Sequence, residues 1–146
     1  MSGLESLFWA GIREDAKDFD RLMLRRVENL LPPTGYPDVD GLWHGEAFKL
    51  ELKAKARPAR PTTKLDLGVT VEQTLWNKEY WRCGGSCWFY ARVGKGPEAC
   101  KYLVRGRDGI VLLDRLTEAS LERLSVLPPR HTLLRVLERV TLPGVD

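Results

Sequence analysis

Residues 48–55 of the 146-residue chain have the sequence FKLELKAK, in which apolar and charged residues alternate without a break. Because successive side chains of a β-strand point to opposite faces of the sheet, this alternation predicts a strand with one apolar and one charged face. Glu51 and Lys53 then project from the same face, and the two leucines of the stretch project from the other. The predicted strand covers residues 47–56.

A second short strand is predicted just before this one. It covers residues 36–43 and is followed by a His44-Gly45 turn. Asp38 lies near its start. If the two strands pair as a hairpin, Asp38 comes to lie beside Glu51, and the sheet carries two neighbouring carboxylates.

The rest of the chain alternates between helical and strand patterns. The predicted helices cover residues 4–19, 70–83, 117–125 and 133–140, and the further strands cover residues 22–29, 87–93, 101–105 and 110–113. The last two strands are expected to form a hairpin. This order predicts an α/β fold with a central mixed β-sheet flanked by helices. We expect one domain, residues 1–146, with a core of about 4–93 and a C-terminal extension of about 94–146 that contributes the hairpin and two helices.

The composition excludes several classes of protein. A chain with 43% hydrophobic and 29% charged residues can bury a core without disulfides or a structural metal. Its three cysteines, an odd number, argue against a closed disulfide framework. Residues 1–5 do not resemble a signal peptide, and no apolar run approaches the ~20 residues that span a bilayer. We therefore expect a cytoplasmic protein without a membrane partner.

Two carboxylates and a lysine on neighbouring strands suit the hydrolysis of phosphodiesters. Asp38 and Glu51 could hold a hard divalent cation such as Mg²⁺, which prefers oxygen ligands. Such an ion polarises a phosphoryl oxygen and activates water, and Lys53 could stabilise the charge that develops. The alternative is an exposed strand face on which lysines and glutamates pair, since alternating charges are common on such faces.

Other acidic residues could join this pair. Glu5 falls within the apolar stripe of the first predicted helix, where a carboxylate is costly unless it is paired, protonated or bound to a metal. The alternative is an acid at a helix start, where a negative charge is favourable. Asp40, which shares a strand face with Asp38, either binds a second ion or is solvated. Glu28 either joins the site or pairs with a neighbouring arginine.

A basic segment continues from the predicted active strand. Residues 49–64 contain six basic residues and one acidic residue. Phosphate contacts from such side chains provide affinity for DNA without sequence information. We expect Lys55, Arg57, Arg60 and Lys64 to contact DNA, because the segment begins beside the acidic pair. The alternative is a solvated loop.

The ordered motifs resemble those of the PD-(D/E)XK nuclease superfamily, and more narrowly those of the virus-type replication-repair nucleases (VRR-NUC) and small phage-encoded relatives. The central motif is Pro37-Asp38, twelve intervening residues, and Glu51-Leu52-Lys53. The resemblance covers about residues 5–93. The other matching positions are Arg26-Val27-Glu28-Asn29, Gly35-Tyr36, Gln73, Trp76 and Gly84-Gly85.

The resemblance implies a restriction-endonuclease-like core and Mg²⁺-dependent cleavage of DNA. It maps Glu5, Asp38 and Glu51 to the metal ligands and Lys53 to the catalytic lysine. Gln73 matches a helix glutamine that is often placed at the same site. Residues 70–73 also have the form of a capping box, in which this glutamine would only cap the helix.

We therefore expect an Mg²⁺-dependent DNA endonuclease, with Mn²⁺ able to substitute, that is structure-directed or non-specific. A phage-encoded enzyme that acts in the host cytoplasm fits the same resemblance. One alternative is a resolvase of branched DNA (Holliday junctions) from the same superfamily, which would require a homodimer to make paired cuts. Others are a catalytically inactive nucleic-acid-binding protein with this fold, and an unrelated domain whose motif is coincidental.

Overall fold

The structure is a computed structural model that describes residues 3–27 and 35–142. Within these residues, no helix combines the length and the apolar character needed to cross a membrane. The helices are α1 (Gly3–Ala16), α2 (Val71–Arg82), α3 (Glu118–Leu124) and α4 (Leu133–Val140). The strands are β1 (Leu22–Arg26), β2 (Val39–Trp43), β3 (Glu46–Lys55), β4 (Cys87–Val93) and β5 (Cys100–Arg105), and two 3₁₀ helices cover Gly96–Glu98 and Gly106–Leu113. Residues 28–29 of the first predicted strand lie outside the described part.

The five strands form one mixed sheet in the order β1-β2-β3-β4-β5. Neighbouring strands are antiparallel except β3 and β4, which are parallel. A parallel pair needs a crossover connection, and α2 lies within it. The predicted mixed sheet flanked by helices is therefore present.

Hydrophobic cores lie on both faces of the sheet. On the first face, α1 and α4 pack against the apolar residues of β3, such as Leu50 and Leu52, and of β4. On the second face, the core includes Phe89 and Tyr102 from the sheet, Leu112 from the second 3₁₀ helix and Leu121 from α3. Burial on both faces explains why β4 is almost continuously apolar.

The predicted hairpin of residues 101–105 with residues 110–113 is wrong. The buried strand β4 has a second edge whose backbone groups need partners, and β5 supplies them. The C-terminal hairpin is therefore formed by β4 and β5. The residues that follow fold as a 3₁₀ helix, and its buried residues recur at every third position, the repeat of such a helix: Gly106, Gly109 and Leu112.

A matched pair of glycine substitutions tests this packing. A Cβ added to Gly41 of β2 would lie 2.2 Å from the Phe48 ring, whereas one added to the exposed Gly11 of α1 would meet nothing within 4 Å. Gly41→Ala should therefore lower the free energy of unfolding by about 1–3 kcal/mol. Gly11→Ala should raise it by about 0.5–1 kcal/mol, because alanine favours helix. Urea denaturation measures both, and equal effects of the two changes would contradict the packing.

Candidate active site

Glu51 is buried at the centre of the candidate site. It lies on β3 between β2 and β4, and only 2% of the residue is exposed. Glu51 therefore does not lie on an exposed strand face, which was the alternative left open by the sequence. Helix α2 and the segment before it cover this part of β3, so Glu51 and Lys53 point into the protein rather than into water.

The two carboxylate oxygens of Glu51 have different surroundings. Oε1 accepts a hydrogen bond of 2.9 Å from Nε2 of Gln73 and lies 3.7 Å from Nζ of Lys53. Oε2 is buried and has no hydrogen-bond partner within the described residues. Burial is the largest cause that raises the pKa of Glu51 to about 9, and the negative charge of Asp38 is the next. The positive charge of Lys53 acts in the opposite direction. The unpartnered oxygen therefore needs either a proton or a cation.

Asp38 is held beside Glu51 by the backbone of β3. The register of β2 with β3 pairs Val39 with Leu50, so Asp38, one residue earlier, lies next to Glu51. Its Oδ2 accepts a hydrogen bond of 2.9 Å from the backbone N–H of Leu52. This bond fixes the carboxylate against the strand, at a position where its charge acts on Glu51.

Lys53 is also buried, with 7% of the residue exposed. Its ammonium donates a hydrogen bond of 3.1 Å to the carbonyl oxygen of Gly68, in the segment before α2. Together with the ion pair to Glu51, this contact holds the charge within the site. The role of the Gly68 carbonyl has no signal in the sequence, because any residue carries that group.

Gln73 contacts both Thr70, as the capping box predicts, and Glu51 in the candidate site. The side-chain Oε1 of Gln73 accepts a hydrogen bond of 3.0 Å from the backbone N–H of Thr70. The backbone N–H of Gln73 in turn donates to Oγ1 of Thr70. These contacts form a complete capping box at the start of α2. Because the amide oxygen faces Thr70, the amide nitrogen faces Glu51. The capping box therefore orients the donor.

Glu5 lies on α1, which packs mainly on the first face of the sheet. It is partly buried, and its charge contributes to the raised pKa of Glu51. Within residues 3–27 and 35–142, no group of three or more histidine, cysteine, aspartate or glutamate side chains is arranged to hold a metal ion. The role of Glu5 as a third ligand therefore stays a prediction.

The oxygen atoms of these side chains are the kind of ligand that a hard cation prefers. Asp38 and Glu51 supply two carboxylates, and Oε2 of Glu51 is a buried acceptor without a hydrogen-bond donor among residues 3–27 and 35–142. Burying such an oxygen without a partner is unfavourable. Mg²⁺ is commonly bound by one or two carboxylates together with waters and substrate phosphates, so these two side chains are a sufficient protein contribution.

Asp40, which shares a strand face with Asp38, does not join this group. Oδ1 of Asp40 lies 2.6 Å from Nζ of Lys49 and accepts a hydrogen bond of 2.8 Å from the Tyr36 hydroxyl. Burial alone would raise the pKa of Asp40, but these hydrogen bonds lower it. Asp40 is thus committed to an ion pair, and Glu28 lies outside the described residues.

The predicted DNA-contacting cations fall into two groups. Lys55, Arg60 and Lys64 are exposed. The guanidinium of Arg57 donates to both carboxylate oxygens of Glu118 in α3 and to the carbonyl oxygens of Val93 and Glu98. Arg57 therefore ties the loop to the body of the protein, and its donors are already engaged.

A comparison with solved structures finds this arrangement of helices and strands in Hjc, a Holliday junction resolvase from the archaeal hyperthermophile Archaeoglobus fulgidus. The chain has a Hjc-like fold. The TM-score is 0.54 at 13% sequence identity, and the match covers 95% of this chain and 99% of that chain. The likeness confirms the predicted fold class, a mixed sheet flanked by helices with a restriction-endonuclease-like core. No family model and no curated protein matches the sequence.

Proposed function

We propose that the protein is a metal-dependent deoxyribonuclease of the PD-(D/E)XK superfamily. The observation that carries this proposal is the buried carboxylate of Glu51 next to Asp38 and Lys53, with one oxygen that no described residue contacts by a hydrogen bond. The Hjc-like fold supports the superfamily. The narrower resemblance to VRR-NUC and phage-encoded nucleases rests on the sequence motifs alone.

In this proposal each side chain has a separate task. Asp38 and Glu51 hold Mg²⁺ or Mn²⁺, which supplies positive charge to the phosphate and activates a water molecule. Lys53 places its ammonium beside the phosphate oxygens, where negative charge develops during attack. Gln73 fixes the rotamer of Glu51. Lys55, Arg60 and Lys64 contact the DNA backbone.

A second candidate is the resolution of four-way DNA junctions. The observation that favours it is the fold likeness to a Holliday junction resolvase over 95% of the chain. A resolvase makes paired cuts, so this candidate requires two copies of the chain. Size-exclusion chromatography with light scattering, with and without junction DNA, tests this requirement, and a chain that stays monomeric on junction DNA would exclude the second candidate.

Cleavage of DNA by matched variants tests the proposed site. With Mg²⁺ or Mn²⁺, the wild type should cleave at least one of supercoiled plasmid, flapped duplex and four-way junction. Glu51→Gln and Lys53→Met should each lower the rate by about 100-fold or more, since each removes a charge at the reacting centre. Methionine is chosen for Lys53 because alanine would leave a cavity at a buried position.

Lys78→Met, an exposed lysine on α2, is the control and should cleave as the wild type does. Circular dichroism checks that all variants fold. Wild-type cleavage that survives both site substitutions would place the active centre elsewhere. A folded wild type that binds DNA but cleaves none of the substrates would indicate the inactive binding protein instead.

The double role of Gln73 predicts that stability and cleavage can be separated. Thr70→Ala removes the side-chain cap and should lower the free energy of unfolding by about 1 kcal/mol, with cleavage by the folded protein nearly unchanged. Gln73→Glu keeps the capping-box acceptor but loses the donor to Glu51, so cleavage should fall on the order of tenfold or more. If rate and stability change in parallel in both variants, Gln73 acts only as a cap.

A further inference from the structure

Exposed apolar side chains lie on the outer surfaces of α2 and of the second 3₁₀ helix. These two elements pack against each other on the second face of the sheet, where the Arg107 guanidinium lies 5.8 Å from the centre of the Trp81 ring. The 3₁₀ helix buries every third residue, and the residues between them face outward. We name the exposed apolar group the α2 patch; its members are Val71 (54% exposed), Leu75 (60%), Ile110 (59%), Val111 (41%) and Leu113 (38%).

The α2 patch concentrates apolar surface in one place. The described part of the chain exposes ten large apolar side chains, and five of them belong to this patch. Their exposed fractions correspond to roughly 400 Å² of apolar surface, which is the size of the largest patch on a typical monomer and often marks a functional surface. Single exposed apolar residues are ordinary, whereas a group of this size indicates a surface that contacts a partner.

The charges on the two elements that carry the α2 patch balance one another. Helix α2 has two acidic and two basic residues, and the second 3₁₀ helix has one of each. Arg82 forms an ion pair with Glu79 at 2.6 Å, and Arg107 forms one with Asp108 at 3.9 Å. A nucleic acid is bound by an excess of cations that neutralise its phosphates, so this surface does not suit DNA. It suits a protein surface that is itself apolar and neutral, because no excess charge has to be buried.

The area of the α2 patch fits one side of an ordinary protein–protein interface. Such an interface buries about 800 Å² on each partner, and a little more than half of that area is apolar. A second copy of the chain presents the same neutral, apolar surface, and a two-fold axis brings the two surfaces together. We propose that two copies of this chain associate through the α2 patch.

This association determines where the two candidate sites lie. Leu75 and Gln73 are two residues apart on α2, which at about 3.6 residues per turn places them on nearly opposite sides of the helix. Gln73 contacts Glu51, so each candidate site lies behind its own α2, and both α2 helices separate the two sites. The inference does not depend on the proposed nuclease function, because it rests on exposed surface outside the candidate site.

Analytical ultracentrifugation of matched variants tests the interface. Over a range of about 1 to 500 µM, the wild type should pass from its monomer mass of 16.6 kDa to twice that mass. Leu75→Glu and Ile110→Glu should each weaken association by about 100-fold or more, because each buries an unpaired charge at the interface. Leu7→Glu is the matched control: Leu7 is also 60% exposed but lies on α1, and this variant should associate as the wild type does.

The result for the wild type decides the proposal first. A wild type that stays at 16.6 kDa throughout the range would overturn it, and so would dimers of equal stability in Leu75→Glu and Ile110→Glu. Circular dichroism checks folding. Leu75→Gln removes apolar surface without adding a charge and should weaken association by about tenfold, so it replaces Leu75→Glu if the charge disturbs α2.

Amide NMR spectra recorded on dilution locate the contact surface. Signals from α2 and from the second 3₁₀ helix should move as the dimer dissociates, while those around Leu7 stay in place. Movement confined to α1 or to the edge strand β1 would place the contact elsewhere and refute the α2 patch.

Binding of duplex DNA in the presence of EDTA tests the other occupant of this surface. If two copies associate as proposed, Leu75→Gln and the wild type should bind DNA equally well when both are monomeric. Weaker DNA binding by Leu75→Gln, together with a wild type that is monomeric, would assign the patch to DNA and contradict the proposal. A failure of DNA cleavage would leave a dimer through the α2 patch intact.

Discussion

The burial of Glu51 in a sheet that is covered on both faces is the constraint on which the rest of the site depends. Each oxygen of a carboxylate in this position needs a hydrogen-bond donor or a cation from the protein or a ligand, because bulk water does not reach it. Gln73 and Lys53 contact one oxygen of Glu51, and the Leu52 backbone holds the neighbouring Asp38. The second oxygen of Glu51 has no hydrogen-bond partner in the part of the chain that the structure describes. The segment before α2 is fixed by the same requirement, because it supplies both the Thr70 cap and the Gly68 carbonyl.

Much of this arrangement could be predicted from the sequence because it depends on local patterns. The alternation of residues 48–55 places Glu51 and Lys53 on one face, and the short turn at residues 44–45 determines which acid comes to lie beside them. The capping box at Thr70 predicts where α2 begins. The contact between Gln73 and Glu51 follows from these elements only when the crossover from β3 to β4 is known.

The remaining features depend on contacts between distant parts of the chain. Glu51 and Lys53 are buried because α2 and the segment before it cover them, and nothing in the alternation itself distinguishes their face from a solvated one. Residues 110–113 have the composition of a strand, yet the free edge of β4 is taken by β5, and Leu112 is buried on a 3₁₀ helix instead. The sequence predicts that Arg57 contacts DNA. In the structure, Arg57 forms an ion pair with Glu118, which lies 61 residues further along the chain.

The central claim is that Glu51 exchanges a proton for a divalent cation. Calorimetric titration with Mn²⁺ at pH 7, in two buffers of different ionisation enthalpy, measures affinity and proton release together. Because the pKa of Glu51 is raised to about 9, the group is protonated at pH 7 and has to ionise before it binds a metal. We predict release of about one proton for each ion and an affinity that rises as the pH approaches 9, with both effects lost in Glu51→Gln. A wild type that does not bind Mn²⁺, or a Glu51→Gln variant with the same affinity and proton count, would contradict the account.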